Sequence, residues 1–338
     1  MTLRLRPAVH WAVLPDGLFL SNWDTSFTLG GHRSLPVLFE RLVPALEQGV
    51  ERNALLDAVP ENARRATAYL LEELLARDML LDAAALAPPP EPDVAAAHAQ
   101  ALAFLESVAK DPYAAFAAVR AAQLTVEGEE EAVRAAARAL IGLGVGTVTT
   151  SEGDGLRIGA VEAVLGRDAI VGRRAAEALG CWTGRGDVDF SGPCGPLVAR
   201  LAGNVAAYQA FRELSGLAQN AAEVTVVRAA GLETTIHPVR PPGPGVPDED
   251  PGAEAFLDAL DPLLDPLFGL LEAPQPGELP QLPLRLAAVG DRLGFAAGGA
   301  EARRRALLAA AAPSGAGGCA GVTVTGWLAD GLLRLALG

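Results

Sequence analysis

Residues Leu124 to Thr150 read LTVEGEEEAVRAAARALIGLGVGTVTT, two short β-prone runs flanking one long amphipathic stretch. Leu124–Glu127 (LTVE) ends at Gly128, Glu129–Leu143 carries apolar residues at helical spacing, and Gly146–Thr150 (GTVTT) returns to a strand pattern. This strand–helix–strand unit predicts an α/β fold for the middle of the chain. In a mononucleotide-binding unit the first turn needs glycines, so that backbone N–H groups and the helix N-terminus can approach a phosphate. Here Gly128 is followed by Glu129, Glu130 and Glu131. Three carboxylates suit the positive end of a helix dipole, yet they fill the space and oppose the charge of a polyphosphate. The sequence predicts the scaffold without the nucleotide.

Working outward, Tyr113–Ala122 and Leu197–Leu217 have helical periodicity, and Val224–Arg228 with Leu232–Ile236 form a hairpin about Ala229-Ala230-Gly231. Two proline-rich stretches punctuate the chain. AAALAPPPEPDVAAA (83–97) reads as a linker in which the prolines exclude helix and ladder pairing. Pro238–Gly252 is similarly rich in proline and charge and places a second linker at 241–255. The expected organisation is an N-terminal module over 1–82, a middle domain over 98–240 and a C-terminal extension over 256–338.

The N-terminal module reads as a small α+β unit. Val9–Leu14, Leu18–Ser21 and Ser26–Leu29 are short β-prone runs, with Pro15-Asp16-Gly17 turning between the first two. Ser34 caps a helix ending near Gly49, a short helix covers Arg52–Ala58, and a third covers Glu61–Arg77 before a strand at Met79–Leu81. This order is that of a winged-helix-like fold.

Composition narrows the function. The 338 residues carry a formal net charge of -14, with 27 Lys+Arg against 41 Asp+Glu. Residues 1–82 hold eight basic and eleven acidic side chains, which argues against a winged-helix DNA-binding regulator and against nucleic acid as a partner in general. No uncharged run of bilayer length or signal-peptide pattern is read, so no membrane partner and a cytoplasmic location are expected. Cys181, Cys194 and Cys319 fit no disulfide or zinc spacing. His10, His32, His98 and His237 have no carboxylate or thiol at triad or ligand spacing, and Ser191–Gly195 (SGPCG) reads as a loop, so no catalytic residue is assigned.

The run Leu124–Thr150, followed by GPLVARLAGNVAAYQAFRELSG (Gly195–Gly216), GLETTIHPVRP (Gly231–Pro241) and FLDALDPLLDPLFGLLEAPQPGELPQLPL (Phe256–Leu284), resembles the ThiF-like, ubiquitin-activating-type partner proteins of YcaO cyclodehydratases. These act in azoline-forming biosynthesis of ribosomally made peptides, including thiopeptides. The resemblance implies an N-terminal peptide-recognition element, a Rossmann-type ThiF-like middle domain and a short C-terminal α+β piece resembling the start of a YcaO domain. Its helix would be EARRRALLAAAA (Glu301–Ala312), and its use would be docking to a separate YcaO protein. Against that pattern, glutamates replace the ATP loop, Ser151-Glu152-Gly153-Asp154 only echoes the acidic ribose contact, and the zinc-binding cysteine pairs are missing. Neither an ATP nor a zinc cofactor is therefore expected, and an ATP-dependent adenylating enzyme is the reading set aside.

What the resemblance implies for binding is specific. The leader of a precursor peptide would add as a strand to Ser26, Phe27, Thr28 and Leu29 and be clamped by the helix Glu61–Arg77. Ala66, Leu70 and Leu74 would form an apolar floor, and Arg64 and Arg65 would pair with leader carboxylates. The expected partners are that leader and a separate YcaO cyclodehydratase, and a homodimer is allowed.

Overall fold

The computed structural model describes residues 1–23, 25–30, 34–182, 184, 186–217, 223–239, 250, 252–269, 272–276 and 284–311, apart from the side chains of 181, 261 and 262. Among these residues no helix is long and apolar enough to cross a membrane. The chain forms two compact units, one of Met1–Leu124 with Arg138–Thr149 and Phe211–Ala218, the other of Thr125–Ala137 with Thr150–Ala210 and Gln219–Gly338.

The chain begins with β1 (Thr2–Leu5), β2 (His10–Leu14), β3 (Gly17–Ser21) and β4 (Ser26–Gly30), then α1 (Ser34–Gln48), β5 (Val50–Glu51), α2 (Arg52–Ala58), α3 (Glu61–Ala76) and β6 (Leu80–Asp82). The strands β2, β3 and β4 form an antiparallel meander in that order, as the alternation of the sequence predicts. A second sheet, β5-β1-β6, adds a strand that the short TLRL run did not announce. Leu3 and Leu5 of β1, Leu18 and Leu20 of β3, and Leu70, Leu71 and Leu74 of α3 share one core with Phe39 of α1. Glu51 caps α2 by accepting from Ala54 N at 2.7 Å, and the backbone N–H groups of Ala54 and Asn53 hold its carboxyl below the usual range.

Arg6 is 1% exposed. Its guanidinium donates to the carbonyls of Glu106 (2.9 Å) and Ala109 (2.8 Å) and to Asp78 Oδ1 (2.7 Å), so the first strand is tied to the helices that follow the proline-rich stretch. The helices in this part of the chain are α4 (Pro92–Ala97), inside that stretch, α5 (Ala99–Val108), which carries Glu106, and α6 (Pro112–Ala121). The helix at Pro92 corrects the expectation of a structureless linker. Proline excludes a helix interior, but at the first helical position its missing N–H is one the helix would leave unbonded anyway. The stretch is also pinned, because Ala87 N donates to Asp111 Oδ2 at 2.9 Å while Asp111 Oδ1 caps α6 through Tyr113 N and Ala114 N.

Next come β7 (Gln123–Gly128), α7 (Glu130–Gly142) and β8 (Thr147–Glu152), the predicted strand–helix–strand unit, within two residues of the expected bounds. After them the structure has β9 (Leu156–Ile158), β10 (Val161–Leu165), β11 (Ala169–Gly172), α8 (Ala175–Cys181), α9 (Pro196–Leu214), β12 (Glu223–Val227) and β13 (Thr234–Pro238). The seven-stranded sheet runs β13-β12-β11-β10-β9-β7-β8. Its pairs β7–β9, β9–β10, β10–β11, β11–β12 and β12–β13 are all antiparallel. The middle of the chain is thus α/β with one large sheet, in which a single strand–helix–strand unit is followed by an antiparallel meander. The reason lies in 153–172, where Gly155 and Gly159 at positive φ turn the chain back at intervals too short for crossover helices, so a meander takes the place of further strand–helix–strand repeats.

The C-terminal part has α10 (Ala253–Leu264), a hairpin of β14 (Arg285–Val289) and β15 (Arg292–Ala296), and α11 (Gly299–Ala311). Ala287, Val289 and Ala296 pack on Ala302, Ala306 and Leu307 of α11 in a small separate core. The expected extension over 256–338 continues past Ala311 into residues outside those described.

Candidate functional site

The meander leaves β4 at its edge. Pro15 and Asp16 form a two-residue turn, so Leu14↔Gly17 is a hydrogen-bonded pair, and the ladder alternates from there. Gly17, Phe19 and Ser21 then face β2, whereas Leu18 and Leu20 bond to Leu29 and Phe27 of β4. By the same alternation the N–H and C=O groups of Ser26, Thr28 and Gly30 point away from β3, and among the described residues no strand pairs with them. An open edge of this kind is a template for an extended chain.

The side chains of β4 alternate as well. Leu29 is buried in the core, Phe27 is half-buried on the same face, and Ser26 and Thr28 are exposed. The Arg77 guanidinium lies 4.1 Å from the centre of the Phe27 ring and is held by the Glu73 carboxylate of α3. Asn22 Nδ2 donates to the carbonyl of Arg77 at 3.4 Å, so the turn entering β4 sits at the end of α3. Trp23 in that turn is 67% exposed.

Of the nine residues expected to meet a peptide, the edge residues Ser26, Phe27, Thr28 and Leu29 lie in β4. Ala66, Arg64 and Arg65 are exposed on α3. Leu70 and Leu74 need correction, because both are 0% exposed and belong to the core rather than to an accessible floor. Their spacing with Ala63 and Ala66 is that of a buried face, and periodicity alone does not separate a core stripe from a groove floor. The sequence reading missed Arg77 and Glu73, whose contact with Phe27 depends on a tertiary approach that spacing does not report.

A second hollow lies at the start of α7. Gly128, Glu129, Glu130, Val133, Arg134, Thr150, Ser151, Glu152 and Gly153 line a cavity of about 760 Å³. The chain thus brings together the turn after β7 and the segment after β8, where a nucleotide-binding unit would hold its ligand. The groups available differ from that chemistry. Gly128 has φ of 146°, and a Cβ there would lie 2.1 Å from the carbonyl oxygen of Gly155, so its freedom serves packing against β9. Glu129 N donates to that same Gly155 oxygen at 2.8 Å. Arg134, the one basic side chain lining the cavity among the described residues, is bound to Glu130 and Glu131, and Arg200 Nε reaches Glu131 at 2.6 Å. The hydrogen bond from Arg200 holds the Glu131 carboxyl below its ordinary range, which keeps it ionised at neutral pH. Cys194 stands near this helix start. Burial, with the charge of Glu129 added, pushes its thiol up to about 11.

A third arrangement joins residues distant in sequence. His237 Nδ1 meets Asp265 Oδ2 at 2.9 Å, and its Nε2 meets Thr235 Oγ1 at 2.8 Å. Asp265 Oδ1 also accepts from Leu267 N and Phe268 N, both at 2.9 Å. Burial raises the Asp265 carboxyl, but the bonds from His237, Phe268 and Leu267 outweigh it and leave the carboxyl below its usual range. The carboxylate is tied to strand β13 on one side and caps the turn after α10 on the other. Its partner lies 28 residues from His237, which is why sequence spacing left this histidine without one. Among the described residues no group of three or more His, Cys, Asp or Glu could hold a metal ion.

No family model matches the chain, and no curated protein matches it. Solved structures do. A heterocyclase in complex with substrate and cofactor is 14% identical over 91% of this chain and 53% of that one, with a TM-score of 0.47. The heterocyclase TruD is 15% identical over 80% of this chain and 48% of its own, with a TM-score of 0.45. MccB of E. coli with MccA is 10% identical over 73% of this chain and 99% of that one, with a TM-score of 0.48. The chain therefore spans about half the length of the two heterocyclases.

Proposed function

We propose that this protein is a non-catalytic partner that captures the leader of a ribosomally made precursor peptide and delivers it to a separate YcaO cyclodehydratase, which forms azolines at Cys, Ser or Thr. The observation that carries the reading is the open edge of β4, with three outward-facing residues beside a helix that already touches its neighbouring side chain. An added strand gains main-chain hydrogen bonds whatever its sequence, and side-chain fit supplies selectivity. Holding the leader at the edge raises the effective concentration of the attached core segment for the enzyme. The absence of chemistry in this chain is part of the proposal. It rests on the glutamate-lined cavity and on a glycine committed to packing.

The test uses the full chain and a fluorescein-labelled precursor peptide encoded beside its gene. Thr28→Pro removes one outward N–H and crowds the edge, while the bonds to β3 come from Phe27 and Leu29 and persist. Polarisation is expected to show at least about tenfold weaker binding with the fold retained. Full affinity in this variant overturns the reading. Isothermal titration with ATP is expected to give no binding heat, and a saturable signal instead supports an adenylating enzyme.

A further inference from the structure

We infer that a hollow between α10 and α11 is a binding site for a zwitterionic apolar ligand, a peptide of a few residues with both ends free, whose ammonium meets Glu254 and Asp258 and whose carboxylate meets Arg303. The residues of this hollow belong to the second compact unit, whereas β4 belongs to the first, and the inference does not depend on the reading of that edge.

The hollow follows from how the C-terminal helices pack. Leu257, Leu260 and Leu264 of α10 lie against the small core that α11 forms with the hairpin β14–β15. The chain then leaves α10 at Asp265, whose carboxylate accepts from Leu267 N and Phe268 N and so fixes the turn. Pro266 follows in that turn and Pro274 comes back toward the same place, and neither ring has an N–H to offer. Together with Leu257 and Leu264 they give an apolar surface to a cavity of about 630 Å³. Small-molecule sites of about 300–1,000 Å³ typically combine such a surface with a few polar groups.

The polar groups here are of both signs. Glu254 and Asp258, one turn apart on α10, line the cavity together with Arg303 of α11. The neighbouring charges are already committed. Arg304 reaches Asp250 at 2.6 Å and Glu301 at 3.7 Å, Arg305 reaches Glu301 at 3.0 Å, and Asp265 is held by His237 at 2.9 Å. Arg303, Glu254 and Asp258 have no hydrogen bond or ion pair among the described residues, so more than 4.0 Å separates the guanidinium from either carboxylate.

That separation selects the ligand. A simple cation is repelled by Arg303, a simple anion by the two carboxylates, and an uncharged apolar molecule would cover all three charges without giving them partners. A zwitterion answers both signs at once. An extended dipeptide spans about 7 Å, enough to bridge a gap that the side chains do not close by themselves. Its side chains would rest on Leu257, Leu264 and the proline rings.

The experiment titrates the full chain, labelled at its leucine methyl groups, with dileucine and follows the Leu257 and Leu264 methyl signals by NMR. Leucine, N-acetyl-dileucine and dileucine amide are the comparisons. Dileucine is expected to shift both signals and to bind at least about threefold more tightly than any of the three. Arg303→Gln, at an exposed position, should weaken dileucine about threefold with no loss for the amide. Joint Glu254→Gln and Asp258→Asn should weaken dileucine with no loss for the N-acetyl form. This crossed pattern pairs each end of the ligand with its own residues. Thr28→Pro should leave the dileucine titration unchanged, which separates this site from the β4 edge. The inference is overturned if dileucine leaves the Leu257 and Leu264 signals unmoved, if the blocked forms bind as well as the free one, or if Arg303→Gln weakens acid and amide alike. Leucine binding as tightly as dileucine would overturn the assignment to a peptide.

Discussion

The edge of β4 and the hollow at the start of α7 are both places where backbone groups are left to be satisfied, and the two have been finished in opposite ways. At β4 the outward groups of Ser26, Thr28 and Gly30 have no partner among the described residues, and the Arg77 and Glu73 charges beside them pair with each other. At α7 the entry is lined by Glu129, Glu130 and Glu152, with Arg134 bound to the acidic residues and the first amide hydrogen-bonded to Gly155. A site that is to bind keeps its donors and acceptors exposed, whereas a scaffold uses them internally. On the proposed function, the first region recognises and the second supports.

The largest effect tests the scaffold side. Gly128→Ala forces a side chain to within 2.1 Å of the Gly155 oxygen at a φ that L-residues avoid, and should cost about 3 kcal/mol in denaturant unfolding. Near-wild-type stability would mean that this glycine is free to approach a ligand, and the contrast between the regions would break. The next effect is the loss of at least about tenfold in peptide affinity for Thr28→Pro, described above, which isolates the edge from the core.

The smallest effect reads the charge of the hollow through Cys194. With its thiol at about 11, only about one in a thousand is ionised at pH 8, and iodoacetamide labelling mapped by mass spectrometry should rise about tenfold per pH unit toward pH 10. The direction follows from the thiolate being the reactive form. Glu129→Gln removes one cause of the raised value and leaves burial, so labelling at pH 8 should quicken only a few-fold. An unchanged rate would show that Glu129 does not set the local potential.

Much of this contrast was legible in the sequence. The run from Glu129 announced the helix α7, and the alternation around Pro15-Asp16-Gly17 announced the meander with Ser26–Leu29 last. Three kinds of information were not legible. Short strands such as β1 and β9–β11 gain their stability from partners that are remote or still unformed in the local pattern. The burial of Leu70 and Leu74 and the exposure of Ala66 follow from which side of α3 meets the core, which a periodic pattern gives only to within a stripe. The pairing of His237 with Asp265, like that of Arg77 with Phe27, depends on tertiary approach.

The central claim is most directly tested by residue-resolved amide hydrogen exchange of the full chain with and without the labelled precursor peptide. Strand addition should protect the outward amides of Thr28 and Gly30, while those of Phe27 and Leu29, already bonded to β3, change little. Peptide binding that leaves Thr28 and Gly30 exchanging as before, with protection appearing around Glu129–Arg134 instead, would contradict it.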